Sequence, residues 1–376
     1  MTSPGTAVVG LSGGVDSAVA ALLLQRAGYR VVGASLRLHA CTDPLASHGR
    51  SCCGIETTAL AAEVAAQLGI RHYVLDVADE FASEVLAPSW AEYRRGRTPN
   101  PCVGCNAAVK FPRLLRLAAD LGAEVVATGH YARIATGHGG PALHRGTDPA
   151  KDQSYFLFAL SPAQLSRIRF PLGGWRKTEV RRLAEQAGLV NARQPESQDV
   201  CFVSAGGSFP EYLCQRVGAA MAAGDVVGDD GARLGAHRGI HLYTLGQRRG
   251  LGLSGGPFWV RALDAGANRV ELTRRRARLL AGGCCARCLH WLVEPLCLPP
   301  EGCLVQTRYR QTPVRAAVRL AAPDGSALEV RFRSPVCAVT PGQALVLYDG
   351  DRVLGGGWID AALAAPPETL AKETER

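Results

Sequence analysis

Six residues, Ser12-Gly13-Gly14-Val15-Asp16-Ser17, constrain this chain more than any other feature, because they sit between two apolar runs. Ala7-Val8-Val9-Gly10-Leu11 precedes them and Ala18 to Leu24 follows, an order that reads as strand, tight glycine turn and first turn of a helix. Such a turn aims several backbone N–H groups at one spot, backed by the positive end of a helix dipole, and so suits a phosphate. The bland alternative is a glycine turn that only lets a helix pack on a strand. Spacing narrows the kind of phosphate site. A Walker A loop ends in Gly-Lys-Ser/Thr, and no lysine follows here. The G-x-G-x-x-G dinucleotide fingerprint is absent as well. Hydroxyls at Ser12 and Ser17, with a carboxylate at Asp16, suit a loop that holds a pyrophosphate leaving group with help from a divalent cation.

From residue 6 to about 130 the chain alternates β-branched runs with amphipathic Ala/Leu-rich segments. Strands are expected at Val31-Val32-Gly33-Ala34, Tyr73 to Val77 and Val125 to Thr128, and helices at Glu56 to Leu68 and Phe111 to Leu121. This alternation predicts an α/β fold, a doubly wound parallel sheet with helices on both faces. Ligand then sits at the carboxyl ends of the strands, where the Ser12–Ser17 turn, Leu36 and Thr128-Gly129-His130 would emerge. Another helix, Arg176 to Gly188, follows. Beyond about residue 220 the texture turns to glycines and short alternating runs, such as Ile240 to Thr244, Trp259 to Leu263 and Arg269 to Leu272. A further block holds Cys303 to Tyr309, Val314 to Leu320, Leu328 to Phe332 and Ala344 to Tyr348. Both blocks read as small antiparallel β modules. The boundaries are placed at 1–215, 216–280 and 281–365, with a disordered tail over 366–376.

With 376 residues, two or three domains are expected, and 47% hydrophobic residues supply ample core. A net charge of +9 suits a polyanionic partner without locating the patch. No apolar stretch reaches the length of a membrane span, and the eleven residues before the loop lack a presequence pattern, so a cytoplasmic protein without membrane attachment is expected. Thirteen cysteines, an odd number at irregular spacing, are not a secreted disulfide framework; some of these thiols should be chemical.

Two segments carry that chemistry. In Thr98-Pro99-Asn100-Pro101-Cys102-Val103-Gly104-Cys105-Asn106, the prolines fix an extended approach and Cys105 falls where a helix would begin, which would lower its thiol pKa. The competing reading is a zinc knuckle or a redox C-x-x-C, with Cys52 and Cys53, or Cys285 and Cys288, as the remaining zinc ligands. In Glu196-Ser197-Gln198-Asp199-Val200-Cys201-Phe202-Val203, Cys201 taken alone reads as a buried core thiol.

These segments recur in a fixed order with A-T-G-H-Y-A-R (127–133), K-D-Q-S-Y-F-L (151–157), Y-T-L-G-Q-R-R-G-L-G (243–252) and R-Y-R-Q (308–311). The set resembles the tRNA-specific 2-thiouridylase family over nearly the full length, and S-G-G-V-D-S resembles the PP-loop of ATP pyrophosphatases. The resemblance implies an adenine nucleotide alpha hydrolase-like catalytic domain followed by two small β-rich domains, the last a β-barrel. It implies ATP bound by Gly10, Leu11, Ser12, Gly13, Gly14, Val15, Asp16, Ser17, Leu36 and Gly129, with Mg²⁺ and no tightly held protein-ligated metal. Cys201 would carry a persulfide and Cys105 would act as nucleophile, the two ending as a disulfide, which requires their Cα atoms to come within about 7 Å. The transfer of tRNA contacts falls on Asn100, Pro101, Cys102, His130, Lys151, Asp152, Gln153, Arg308, Tyr309 and Gln343. Implied partners are the wobble-uridine tRNAs for Lys, Glu and Gln, and a cysteine desulfurase or sulfur-relay protein as donor. The chain departs from the pattern at Cys102, where some relatives carry aspartate. Cys284, Cys285, Cys288, Cys297 and Cys303 are not part of the shared pattern and read as incidental, with a zinc site as the alternative. The rival readings are another PP-loop adenylating ligase, a tRNA-thiolating enzyme for a different base, and an RNA-binding module with a degenerate pocket.

Overall fold

The computed structural model describes residues 5–39, 55–137, 140–195, 203, 208–218, 221–294, 298–299, 302–322 and 325–365. Cys52, Cys53, Cys201, Cys297 and the 366–376 tail lie outside the described residues. Packing divides the chain into two compact units, one of residues 1–85, 101–209 and 351–353, the other of 86–100, 210–350 and 354–376.

The first unit is built on a five-stranded sheet of β1 (Thr6–Gly10), β2 (Arg30–Arg37), β3 (Arg71–Asp76), β4 (Val125–Ala127) and β7 (Ile168–Arg169), in the order β3-β2-β1-β4-β7. Every pairing in it is parallel. The chain leaves β1 through helix α1 (Val15–Arg26) toward β2, then passes through α2 (Ile55–Gln67) to β3. It returns through the Phe111–Asp120 helix to β4 on the other side of β1, so strand order reverses there. Period-two alternation fixes what each face buries. Ala7, Val9 and Leu11 pack with Ala21 and Leu24 of α1 and Ala61 and Ala65 of α2. On the opposite face, a Cβ on Gly10 would lie 3.2 Å from Leu114 of the Phe111–Asp120 helix, and Leu114 is fully buried. The expected doubly wound sheet is therefore present, with helices on both faces.

One feature of this unit, a hairpin after β4, carries no strong sequence signal. β5 (Ala132–Gly137) and β6 (Gly140–Arg145) form an antiparallel hairpin, and Arg133 and His144 both bond the Asp351 carboxylate. The Lys177–Gln186 helix, expected from Arg176 to Gly188, packs Val180, Leu183 and Ala184 on Val15, Ala18 and Val19 of α1.

In the second unit, β8 (Gly224–Val227), β9 (Arg233–His237), β10 (Trp259–Asp264) and β11 (Arg269–Thr273) form a sheet of order β10-β11-β8-β9. It is not wholly antiparallel as expected: β11 pairs β8 in parallel. Ile240–Leu242 is a 3₁₀ turn rather than a strand. The remaining strands are β12 (Leu280–Trp291), β13 (Cys303–Gln306), β14 (Val314–Leu320), β15 (Ala327–Cys337), β16 (Ala344–Asp349) and β17 (Arg352–Ala364). They run β12-β15-β14-β13-β16-β17, and a β12–β17 pairing closes them into a barrel. Cys284 and Cys303 point into its core with Val305, Val330 and Ile359. Burial pushes the Cys284 thiol up to about 12. Cys285 is half-buried and Cys288 exposed.

Among the described residues no helix is long and apolar enough to cross a membrane. Leu114→Ala should cost the first unit about 2–5 kcal/mol, since it opens a cavity under β1 that the sheet cannot close. The shift of the urea unfolding midpoint, followed by a probe in that unit, measures it.

Candidate active site

The Ser12–Ser17 turn lies where β1 ends, at the point where strand order reverses, which is where a crevice forms in a sheet of this topology. Gly10 closes β1, Leu11 is buried beneath the turn, and its N–H donates to Ala34 O at 2.7 Å. Gly13 adopts φ +74, and a Cβ there would stand 2.6 Å from Thr57 O. The left-handed turn thus needs glycine twice over, for its backbone and for the approach of α2. Gly14 caps α1 without a side-chain bond, so the first N–H groups of the helix stay available to a ligand.

The hydroxyls are wired into the turn. Ser12 N–H donates to Ser17 Oγ at 3.1 Å, Ser17 Oγ donates to Gly14 O at 2.9 Å, and the two hydroxyl oxygens stand 3.3 Å apart. Ser17 is buried while Ser12 is exposed, so Ser12 is the hydroxyl presented outward. Gly129, just past β4, presses on the start of α1: a Cβ there would lie 2.7 Å from Asp16 C and from Ser17 N. The turn and the β4 end are therefore one surface, as the strand–helix alternation predicts. Leu36 is half-buried near the end of β2.

Asp16 is held from two sides. Lys177 Nζ, almost fully buried, donates to both of its carboxylate oxygens at 2.7 Å, and Tyr131 OH donates to Oδ1 at 2.8 Å. A carboxylate so occupied is not an open metal ligand, so the residues of this turn do not fit direct Mg²⁺ ligation. Asn191 Nδ2 also donates to Gly13 O at 2.7 Å. Lys177, Tyr131 and Asn191 are functional neighbours that motif reading missed. Tyr131 lies inside a quoted motif, but Lys177 is 161 positions from Asp16 on a helix that looks ordinary.

Cys105 corrects one expectation. The helix begins at Pro101, so Cys102 occupies its first turn and Cys105 opens a π-helical stretch, Cys105–Lys110, one turn in. Cys105 is buried, and that burial pushes its thiol up to about 11, against a smaller downward pull from Lys110. The expected lowering by the helix N-terminus is outweighed by desolvation. Asn106 is buried beside it, donating Nδ2 to Phe156 O at 3.1 Å, while its Oδ1 has no partner among the described residues.

His130 connects this helix to the turn. Its ring centroid is 5.9 Å from that of Phe111 and 5.9 Å from that of Phe170, and Nδ1 stands 2.7 Å from Thr128 Oγ1. Burial, with Lys110 close by, holds its pKa well below the ordinary imidazole value, so the ring is neutral at physiological pH.

The other sequence-derived positions fall in two sets. In the first unit, Lys151, Asp152 and Gln153 form the turn after β6. Asp152 accepts from Gly146 N–H and Ser154 N–H, both at 3.0 Å, and Gln153 bonds the Tyr131 backbone through N–H and Oε1 at 2.8 and 3.0 Å. In the second unit, Gln343 Nε2 donates to Thr98 O and Pro99 O at 3.0 and 2.9 Å, which fixes the approach to Asn100. Arg308 is exposed and donates to Thr340 Oγ1 at 2.9 Å, and the Arg310 guanidinium covers the Tyr309 ring at 5.4 Å. Cys201 lies outside the described residues, as do Cys52 and Cys53. Among the described residues no group of three or more His, Cys, Asp or Glu could hold a metal ion.

Two consequences are measurable. Lys177→Met removes the cation from a partly buried carboxylate and should cost about 2–3 kcal/mol in urea unfolding, with Lys177→Arg recovering most of it. Cys105 should resist alkylation at neutral pH. Peptide-resolved iodoacetamide labelling should speed up about tenfold per pH unit from 7 to 9.5 without levelling, because the thiolate fraction is still rising toward a midpoint near 11. The same shift lowers folding stability as pH rises from 9.0, the ordinary thiol value, through about 11.

Comparison with known proteins places this geometry. Three family profiles tile the chain: "tRNA methyl transferase HUP domain" over residues 5–205, "tRNA methyl transferase PRC-barrel domain" over 210–274 and "Aminomethyltransferase beta-barrel domain" over 282–359. Solved structures align at low scores. An NMN synthetase from Francisella tularensis gives a TM-score of 0.35 at 19% identity, covering 58% of this chain and 79% of its own. The tRNA-specific 2-thiouridylase MnmA of Geobacter metallireducens is 46% identical, covering 95% of this chain and 97% of that protein. Its namesake in Magnetococcus marinus is 42% identical over 96% of this chain and 100% of that protein. With the S-G-G-V-D-S turn at the strand crossover and this similarity along almost its whole length, the chain belongs to the tRNA-specific 2-thiouridylase family.

Proposed function

We propose that this protein converts the wobble uridine of a tRNA to 2-thiouridine, using ATP and a persulfide, with release of AMP and pyrophosphate. The observation that carries the reading is the placing of three things in one unit. The Ser12–Ser17 turn, Gly129-His130 on its rim, and the buried Cys105 are joined through Phe111 and Lys110.

The chemistry explains why such a site is needed. A carbonyl oxygen does not leave as oxide, so the C2 oxygen of uridine first attacks the α-phosphate of ATP and becomes part of an AMP ester. Pyrophosphate is the leaving group, and the N–H groups at the start of α1 stabilise the charge gathering on it. The terminal sulfur of a persulfide on Cys201 then attacks C2 and expels AMP, leaving Cys201 and C2 joined through two sulfurs. The Cys105 thiolate attacks the Cys201 sulfur. That breaks the sulfur–sulfur bond, leaves one sulfur on C2, and forms a Cys105–Cys201 disulfide that an external dithiol reduces.

Burial of Cys105 suits this order of events. A thiol held protonated at neutral pH does not discharge the persulfide prematurely; it ionises only when its surroundings change, and Lys110 is the cation on hand to favour that. The neutral His130, packed beside the buried ring of Phe111, stands at the approach to the turn, where an extruded base would be received. ATP is the proposed cosubstrate. A divalent cation, where the reaction uses one, has no open carboxylate in this turn, since Asp16 is already taken by Lys177 and Tyr131.

The test is nucleoside mass spectrometry of tRNA from cells whose only copy of this gene is wild type, Cys105→Ser or Cys201→Ser. Wild type should restore 2-thiouridine at the anticodon, and each serine variant should lower it on the order of a thousandfold. Serine variants that restore 2-thiouridine as fully as wild type, or a wild type that restores none, would refute the proposal.

A further inference from the structure

The second unit holds a cluster of arginines that the reaction above does not use. Residues 248–258, Arg-Arg-Gly-Leu-Gly-Leu-Ser-Gly-Gly-Pro-Phe, form a loop that lines an open groove of about 550 Å³. Arg248 stands on its edge with the guanidinium carbon 5.7 Å from the Trp259 ring centroid. Arg274 lies over Phe258 at 4.6 Å. A Cβ on Gly256 would sit 3.4 Å from an Arg274 terminal nitrogen, so the loop backbone closes directly on that guanidinium. Gly255 and Gly256, at φ +93 and +128, adopt backbone that a side chain would not tolerate.

The charges in this region divide sharply. Arg261 pairs with Glu271, and Arg278 with Asp229 at 2.8 Å, so acids are present and engaged. Among the described residues no acid pairs with Arg248, Arg249, Arg274, Arg275 or Arg276, and all five are exposed. A guanidinium resting on an aromatic face is held in place while its N–H edge points away, ready for a two-pronged contact with phosphate oxygens. Ring-stacked arginines around a glycine-rich, side-chain-poor loop are the arrangement that meets a phosphodiester backbone closely.

We propose that this groove is an RNA-backbone site, in which Arg248 and Arg274 each take one phosphate of the bound tRNA. The inference rests on the tRNA reading above and extends it to residues which that reading leaves idle. The contact is with phosphate, so it adds affinity and registers the tRNA without reading its bases. A phosphate contact also sets the expected signature, a dependence of affinity on salt that falls when the cation is removed.

The experiment measures the Kd of full-length protein for an unmodified wobble-uridine tRNA and for a tRNA lacking that uridine, across a KCl series. Arg248→Gln and Arg274→Gln should each lower the slope of log affinity against log salt by about one, and the double variant by about two. At physiological salt the double variant should bind about tenfold more weakly, and equally so for both tRNAs. A double lysine variant should keep the wild-type slope, since each ammonium still displaces one counterion. Unchanged slopes in the glutamine variants, beside a wild type that binds tRNA, would overturn this inference alone. So would a lysine variant that loses the slope as fully as the glutamine one, because the effect would then be structural. A wild type that shows no salt-dependent affinity for tRNA would overturn the proposed function along with it.

Discussion

The Lys177–Asp16 ion pair is the contact on which the site depends. Asp16 stands in the first turn of α1, where a carboxylate is favoured by the helix dipole yet would repel an incoming polyphosphate. Lys177 cancels that charge from the end of another helix, and Tyr131 holds the remaining geometry. No lysine lies within the loop itself; the one that reaches it comes from 161 positions away and is engaged by Asp16. The turn, α1, the Lys177–Gln186 helix and the segment after β4 are thereby locked together, with Gly129 lying against the Asp16 backbone. A preorganised array of N–H donors needs that rigidity, because stabilisation of a leaving group is lost if the donors must first rearrange.

The rest of the first unit follows from where Gly13 and Gly129 sit. Both are places where a methyl group would strike backbone, and both face the turn. Their absence of side chain is what lets α2 and the β4 end approach so closely. The two buried thiol and imidazole groups nearby are kept neutral by desolvation, and Lys110 acts on each.

Much of this was legible in the chain. The β1 turn, the parallel sheet and the Phe111–Asp120 helix follow from apolar periodicity and one glycine motif, since these are local consequences of sequence. Lys177 was not legible, because a lysine at the start of an amphipathic helix looks like any solvated lysine until the fold brings Asp16 to it. The state of Cys105 was misread for a related reason: the helix start was placed one turn late, and burial, a property of the whole fold, outweighs any local dipole. The parallel β8–β11 pairing was missed because alternation shows a half-buried strand without showing the direction of its neighbour. The barrel closure between β12 and β17 joins strands that begin at Leu280 and Arg352, and no local signal spans that separation.

The account stands or falls on which phosphate bond the turn is built to break. Single-turnover product analysis with tRNA, ATP and a persulfide donor answers this directly. Cleavage at the α-phosphate would yield AMP and pyrophosphate in equal amounts, matched by the 2-thiouridine formed. ADP and inorganic phosphate in their place would contradict it.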